Sequence, residues 1–407
     1  MNCHALCHYI WYRLPIILIF MNSYLVYRML VSSELTDIFV QKMIVKSQGH
    51  LPRIILYILI SGALLSFFIP NAVSVLILLP VIKQIEKQSA TSKLNPLQQS
   101  KMITALGLSA IYGANIGGMG SMVGSPANLI LIGAMDFLGG TQKVSITFLN
   151  WFLWSIPLVV CFLICAFWII SLFALPTCSK LVYCNASEQN QLNVQQKNAL
   201  NLFILFIVFW MFHSICHQKF CFYQSMQSVI CLIFMLCFSC RLFQKRLLSF
   251  NQLIRGVPLR GAIVLIVFVS IMIIVRYFHL DHMAAKCFNQ TITTVHSSTG
   301  LVVWVTGISI ILTEFLSNTI VSTALFPIVY ETAQMHDIMP LILMIPVSVA
   351  STCAFMTPIA TPCNAFVYGE IKGIRLHTMM ISGLALNALC VICVSIWIPF
   401  CIPVIYY

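Results

Sequence analysis

Charge is what this chain most conspicuously lacks. Only 8% of its 407 residues are Asp, Glu, Lys or Arg, and ten are acidic. Water-soluble domains carry about 25%, so an ordinary soluble globular domain is excluded. Strict apolar/polar alternation is missing as well, because the hydrophobic runs are continuous; that argues against a β-barrel. There is no Gly-x-Ser-x-Gly elbow and no pair of Asp residues within an apolar run, so the chain lacks the usual machinery of an intramembrane hydrolase and is read as no enzyme. The apolar stretch Leu14–Tyr27 has no small-residue cleavage site and flows into more apolar sequence, unlike a cleaved signal peptide. Cysteine is plentiful, at seventeen. Cys237-Phe-Ser-Cys240 has no second pair, however, and residues such as Cys161, Cys165, Cys231, Cys390 and Cys393 sit inside apolar segments as small hydrophobes of a reduced protein. The group His213-Ser-Ile-Cys216-His217 reads as the close of a span at the interface rather than a metal site.

What is present is hydrophobicity: 60% of the residues, a mean hydropathy of +0.96, and recurring long apolar runs. The chain is therefore expected to be an all-α polytopic membrane protein embedded in a lipid bilayer. Its net charge of +12 lies in short loops between spans, the placement of topology anchors and not of a nucleic-acid surface.

In chain order, Trp11–Leu30 reads as a span and Glu34–Ser47 as an amphipathic interfacial segment, with Leu35, Ile38, Phe39, Met43 and Ile44 on one face. Arg53–Lys83 is apolar but broken at Pro70-Asn71; each arm is short for a crossing, so a re-entrant hairpin is predicted, followed by a basic loop over Lys83–Lys101. Met102–Leu138 begins as a helix and then passes five Gly and a Pro within fourteen residues, Gly113 to Pro126, which unwinds it into a discontinuous span. Phe148–Leu175 is a plain span, Pro176–Lys197 a polar linker, and Asn201–His213 and Ser225–Cys240 two more spans. After a basic segment, Arg241–Arg260, the order restarts. Ala262–Phe278 spans, His279–Ser298 is polar with a short amphipathic part, and Leu301–Thr332 is a second hairpin with its tip at Ser317-Asn318-Thr319. Met339–Gly369 is a second broken span and His377–Pro403 a last span. The reading is two repeats, 1–175 and 241–407, joined by a linker and two connecting spans over 176–240. With the repeats inverted, five of the 22 Lys and Arg (Arg13, Lys143, Lys219, Arg276 and Lys286) fall outside and the remaining seventeen inside. That satisfies the positive-inside rule and places both termini outside.

The four breaks are the candidate site. Two stand in the second half, at Thr313–Thr319 and Ala354–Asn364. A weaker copy, Phe68-Ile69-Pro70-Asn71-Ala72 and Gly124-Ser125-Pro126-Ala127-Asn128, stands in the first. Paired breaks at matching places in two halves point to a transporter site. Helix N-termini in mid-membrane expose unpaired N–H groups and a partial positive charge, which suit carboxylate, sulfate or phosphate. None of the four segments contains Lys or Arg, so an anion would be held by these termini. Unwound carbonyls with Ser, Thr and Asn oxygens suit Na+, and a cation beside an anion partly offsets both desolvation costs. A packing or kink role remains the alternative for any single break. Glu314, the lone acid in these segments, is either a proton carrier or a structural hydrogen-bond partner.

Glu314-Phe-Leu-Ser317-Asn318-Thr319, followed by Ser351-Thr-Cys-Ala-Phe-Met-Thr-Pro-Ile-Ala360-Thr361-Pro362-Cys-Asn364, closely resembles the divalent anion/sodium symporter family of di- and tricarboxylate and sulfate transporters. The resemblance runs from about Leu25 to the C-terminus. It implies an elevator-type secondary transporter of small dicarboxylates of the succinate, malate and fumarate class, driven by Na+ and needing no other cofactor. It also implies a cell inner (plasma) membrane location and a homodimer. Substrate would meet Asn71, Ser125, Ser317, Asn318, Thr319, Thr361 and Pro362. One Na+ would lie among Ser66, Asn71 and Gly124, the other among Thr313, Asn318, Ala360 and Thr361. Two departures stand out: the first tip reads Pro70-Asn71-Ala72 and lacks two hydroxyls, and few residues precede the interfacial segment where the family usually has further scaffold helices. They leave open a sulfate or tricarboxylate carrier, a Na+-independent anion exchanger, and a non-transporting remnant.

Overall fold

The computed structural model describes residues 3–90, 95–138, 146–176, 192–249, 278 and 297–406. These are helical, with no extended strand among the described residues. The helices are α1 (Cys3–Ser32), α2 (Leu35–Lys46), α3 (Leu51–Ser66), α4 (Asn71–Ala90), α5 (Pro96–Gly118), α6 (Pro126–Leu138) and α7 (Phe148–Phe173). They continue with α8 (Val194–Lys219), α9 (Cys221–Gln244), α10 (Ser298–Thr313), α11 (Asn318–Met335), α12 (Pro340–Thr352), α13 (Pro362–Glu370) and α14 (Leu376–Tyr406). The expected span Ala262–Phe278 and the polar segment after it lie outside the described residues, apart from their ends. So do residues 91–94 of the first basic loop, 177–191 of the linker and 250–260 of the second basic segment.

The chain divides into two compact units. The first comprises Met1–Phe39, Thr147–Asn150 and Ser187–Pro258. In it α1 packs on α8 and α9, and Ser228 Oγ donates to the Trp11 carbonyl at 2.6 Å. Helix α8 starts seven residues before the expected span. Asn193 accepts from the amides of Gln195 and Gln196 while the Gln196 side chain accepts from the Asn193 amide, a capping box that carries the helix back through polar sequence.

The second unit, Val40–Ile146, Trp151–Ala186 and Leu259–Tyr407, contains every break. One order of elements appears twice: α3–α4, α5–α6, α7, and then α10–α11, α12–α13, α14. Each set is two helices around a tip, two around an unwound loop, and one long helix. Several arms are short: Pro340 starts α12, which a break ends after Thr352, and Pro362 starts α13 on the far side of that break. Helix α3, with 16 residues, is about 24 Å long, less than the roughly 30 Å of a bilayer core. Among the described residues, Phe148–Phe173, Val194–Cys216, Met226–Gln244 and Leu376–Tyr406 are long and apolar enough to cross a membrane. On α7, Leu153, Val160, Ile164, Trp168 and Leu172 are exposed, an apolar stripe suited to lipid.

Helix α3 crosses α5 at backbone contact: a Cβ on Gly113 or Gly117 would strike the backbone of Leu59 or Ala63. Small residues thus set the approach where lipid offers no hydrophobic drive between helices. The repeats also pack crosswise, α4 against α13 and α11 against α6. The second arm of each hairpin therefore lies on the half-helix of the other repeat.

Candidate functional site

Each break ends in a helix N-terminus: Asn71 for α4, Pro126 for α6, Asn318 for α11 and Pro362 for α13. The first turns of these helices carry no acidic residue, so their N–H groups are not already paired with a local carboxylate. Four N-termini thus lie in one unit with no Lys or Arg in the break segments, and helix N-termini carry the partial positive charge that favours anions.

In the first repeat, Ser66 Oγ at the end of α3 hydrogen-bonds Asn71 Oδ1 across the tip. The Asn71 amide lies on α5: a Cβ on Gly118 would stand 2.5 Å from Asn71 Oδ1. Gly124 closes the other side, since a Cβ there would meet Gly118 O at 2.6 Å and Ser66 O at 2.8 Å. Ser66, Asn71 and Gly124 are thus brought together with two backbone carbonyls, a donor set of neutral oxygens suited to a hard cation. Ser125 is buried and its Oγ accepts from the Ala127 amide at 3.4 Å, at the start of α6. Trp151 and Ser155 of α7 support the loop by donating to Met119 O at 3.1 Å and Gly120 O at 2.8 Å.

In the second repeat, Thr313 Oγ1 lies 3.1 Å from Asn318 Oδ1 and 2.7 Å from Ser351 O. Ser317 caps α11, its Oγ accepting from the Ile320 amide at 3.4 Å. Ser317 is exposed, and Asn318 and Thr319 are half-buried. Thr361 caps α13, accepting from the Asn364 amide at 3.3 Å and donating to Asn364 Oδ1 at 2.8 Å. Ala360 and Thr361 are buried and Pro362 is exposed. Among the described residues, no hydrogen bond joins Ser317 or Thr319 to the Thr361–Pro362 corner. The hairpin and the loop are joined instead through Thr313 and Glu314.

The structure shows Glu314 as a hydrogen-bond partner, one of the two roles the sequence leaves open. It is 3% exposed. Its Oε1 accepts from the amides of Phe355 at 3.0 Å and Met356 at 2.9 Å and from Asn387 Nδ2 of α14 at 2.9 Å, while Oε2 accepts from the Thr357 amide at 3.0 Å. Four donors hold the carboxylate, so Glu314 anchors the unwound loop to the hairpin. A carrier would have to release those partners at each turnover.

The same hydrogen bonds recur in both halves. Asn128, third residue of α6, donates through Nδ2 to Gly118 O at 3.0 Å and Ser121 O at 2.7 Å. Asn364, third residue of α13, donates through Nδ2 to Ala354 O and Thr357 O, both at 2.8 Å. In each case the partners lie ten and seven residues earlier. Ser121 Oγ donates to Phe67 O, and its counterpart Thr357 Oγ1 donates to Glu314 O at 3.0 Å. Asn128 and Asn364 were quoted in the break motifs without a role. The signal that marks them is an Asn two places after Pro in both Ser125-Pro-Ala-Asn128 and Thr361-Pro-Cys-Asn364.

Two other clusters have different explanations. His213 Nδ1 lies 2.9 Å from Tyr223 Oη, which occupies the ring nitrogen on the side of Cys231. The sulfurs of Cys161, Cys165 and Cys393 lie within 4.8 Å of one another, but α7 and α14 carry no Lys or Arg to offset the charge of a thiolate cluster.

A polytopic unit, helical among the described residues, with two hairpin tips, two unwound spans and neutral oxygen clusters beside the tips has the architecture of a membrane transporter. The sequence matches the family described as sodium:sulfate symporter transmembrane region over residues 11–404. The chain belongs to that family, the divalent anion/sodium symporters. It is 26% identical over 369 residues to the Staphylococcus saprophyticus sodium-dependent dicarboxylate transporter SdcS, a match covering 86% of this chain and 69% of that protein. It is also 26% identical over 335 residues to the Caenorhabditis elegans sodium-dependent low-affinity dicarboxylate transporter 1, covering 76% of this chain and 57% of the worm protein. Its fold is similar to the crystal structure of the Alcanivorax borkumensis YdaH transporter, with a TM-score of 0.64 at 13% identity, covering 98% of this chain and 90% of that one.

Proposed function

We propose that this chain is a Na+-coupled symporter of small dicarboxylates of the succinate, malate and fumarate class. The observation that carries the reading is the matched pair of oxygen clusters. Ser66–Asn71 and Thr313–Asn318 each bridge a hairpin tip beside an unwound loop, and four helix N-termini stand at the same breaks with no cationic side chain. In this scheme Ser66, Asn71 and Gly124 take one Na+, and Thr313, Asn318, Ala360 and Thr361 the other. The anion lies across the tips against Asn71, Ser125, Ser317, Asn318, Thr319, Thr361 and Pro362. Bound Na+ offsets the charge of the carboxylates, so neither enters alone. The names of the staphylococcal and worm relatives support both the ion and the substrate class.

The repeats, 1–175 and 241–407, are proposed to be inverted, with 176–240 connecting them and both termini outside. Movement would be of the elevator type, with the hairpins and broken spans carrying the site in a homodimer of the cell inner membrane. A second reading, a sulfate or tricarboxylate carrier or a Na+-independent exchanger, draws on the first tip. There Pro70, which has no side-chain acceptor, stands where Ser317 caps α11, and the chain neighbours of Asn71 are Pro70 and Ala72 where those of Asn318 are the hydroxyl-bearing Ser317 and Thr319.

Competition separates the substrate classes. Uptake of labelled succinate into proteoliposomes under a Na+ gradient is challenged with malate, fumarate, sulfate or citrate. Inhibition by the C4 dicarboxylates at lower concentration than by sulfate or citrate supports the proposal; the reverse order replaces it with the second reading.

A further inference from the structure

Each loop-holding Asn is gripped from the opposite repeat. Ser348 Oγ, on α12, donates to Asn128 Oδ1 at 2.8 Å. Asn115 Nδ2, on α5, lies 3.2 Å from Asn364 Oδ1 and 3.4 Å from Ala354 O. The donor end of each Asn amide holds its own loop, and the acceptor end is held by the other repeat's broken span. Asn115, Asn128, Ser348 and Asn364 are all at most 1% exposed, so water does not replace a lost partner.

We infer that these crossed hydrogen bonds couple the two proposed cation sites. Asn128 fixes Gly118 O, which borders the cluster of Ser66, Asn71 and Gly124. Asn364 fixes the Ala354 and Thr357 carbonyls of the other loop and is bonded to Thr361. A cation that draws one loop's oxygens inward sets the angle of that loop's Asn amide. The amide's other end then presses the opposite span into its binding form. Ser348 and Asn115 are positioning residues that act through the two Asn side chains. Coupling of this kind needs a bonded element that both sites bias, and the pair supplies it. A role in packing alone would lower stability and leave the steepness of Na+ binding unchanged.

The inference rests on the Na+-coupled reading, and the test separates the two. Purified protein is titrated with NaCl at constant ionic strength against choline chloride, following both the thermal shift in detergent and the rate of succinate uptake. Wild type is expected to show a Hill coefficient above one in both. Ser348→Ala and, from the other repeat, Asn115→Ser are each expected to bring it to about one and to raise half-saturating Na+ about fivefold, the weight of one neutral hydrogen bond. Monodisperse elution of each variant shows that it is folded, and the two variants test the latch from its two ends. An unchanged Hill coefficient in either folded variant overturns the latch while leaving symport intact. A wild type indifferent to Na+ overturns the symport reading, and this inference with it.

Discussion

Replacing Glu314 tests how the second unwound loop is held. Its carboxylate takes three backbone amides and the Asn387 side chain, all at 2.9–3.0 Å. Glu314→Ala strands all four donors in a site that is 3% exposed at Glu314 itself. A buried donor left unpaired costs about 1–3 kcal/mol, so the low end for four is about 4 kcal/mol, with no bulk water at membrane depth to reduce it. By the per-residue unfolding entropy of soluble domains, that lowers the melting temperature of a 407-residue chain by roughly 5 °C. Glu314→Gln keeps one acceptor oxygen but turns an NH2 toward one side of the cluster, and loses about 1–3 kcal/mol. The assay is thermal unfolding of detergent-solubilised protein, read by the monodisperse fraction on size exclusion. The order wild type, Gln, Ala is expected. An Ala variant melting within about 1 °C of wild type, less than 1 kcal/mol on the same scale, would refute the anchor. So would a fully stable Gln variant whose uptake has lost its dependence on pH, which would restore the proton-carrier reading.

Asn128→Ala and Asn364→Ala each free two loop carbonyls, and the matching bonds predict similar losses of about 2–4 kcal/mol in the same melt; a loss confined to one half would show that the repeats are not equivalent here. Gly118→Ala places a methyl 2.5 Å from Asn71 Oδ1, and the displaced amide should raise half-saturating Na+ for uptake about tenfold; an unchanged value would remove Asn71 from the first cation site. Pro70→Ser supplies α4 with the hydroxyl cap that α11 has in Ser317, and should stabilise the protein by about 1 kcal/mol, visible as a higher melting temperature; an equal or lower one would show that the proline suits this tip better than a cap.

Much of this arrangement was legible in the sequence, because breaks in membrane helices use conspicuous residues. Pro70-Asn71 and Ser317-Asn318 fall at the starts of α4 and α11, and the Gly-rich run ends α5 at Gly118. Where polar sequence precedes an apolar run, the reading was less sharp: α8 begins at Val194 because Asn193 and Gln196 cap it, a local hydrogen-bond effect that hydropathy does not register. The long-range parts were not legible. Asn387 meets Glu314 across 73 residues, and Ser348 meets Asn128 across 220. Nothing near either partner in the sequence specifies such a bond. Glu314 itself allowed two roles until the amides of Phe355, Met356 and Thr357 were seen to converge on it.

The central claim, that the paired tips bind Na+ and a dicarboxylate together, is tested most directly by uptake of labelled succinate into proteoliposomes with an inward Na+ gradient and with K+ in its place. The account predicts uptake with Na+ only, abolished by Asn318→Ala. Uptake that is indifferent to Na+ and stimulated by internal succinate would contradict it in favour of exchange; no uptake under either gradient, from folded protein, would contradict it outright.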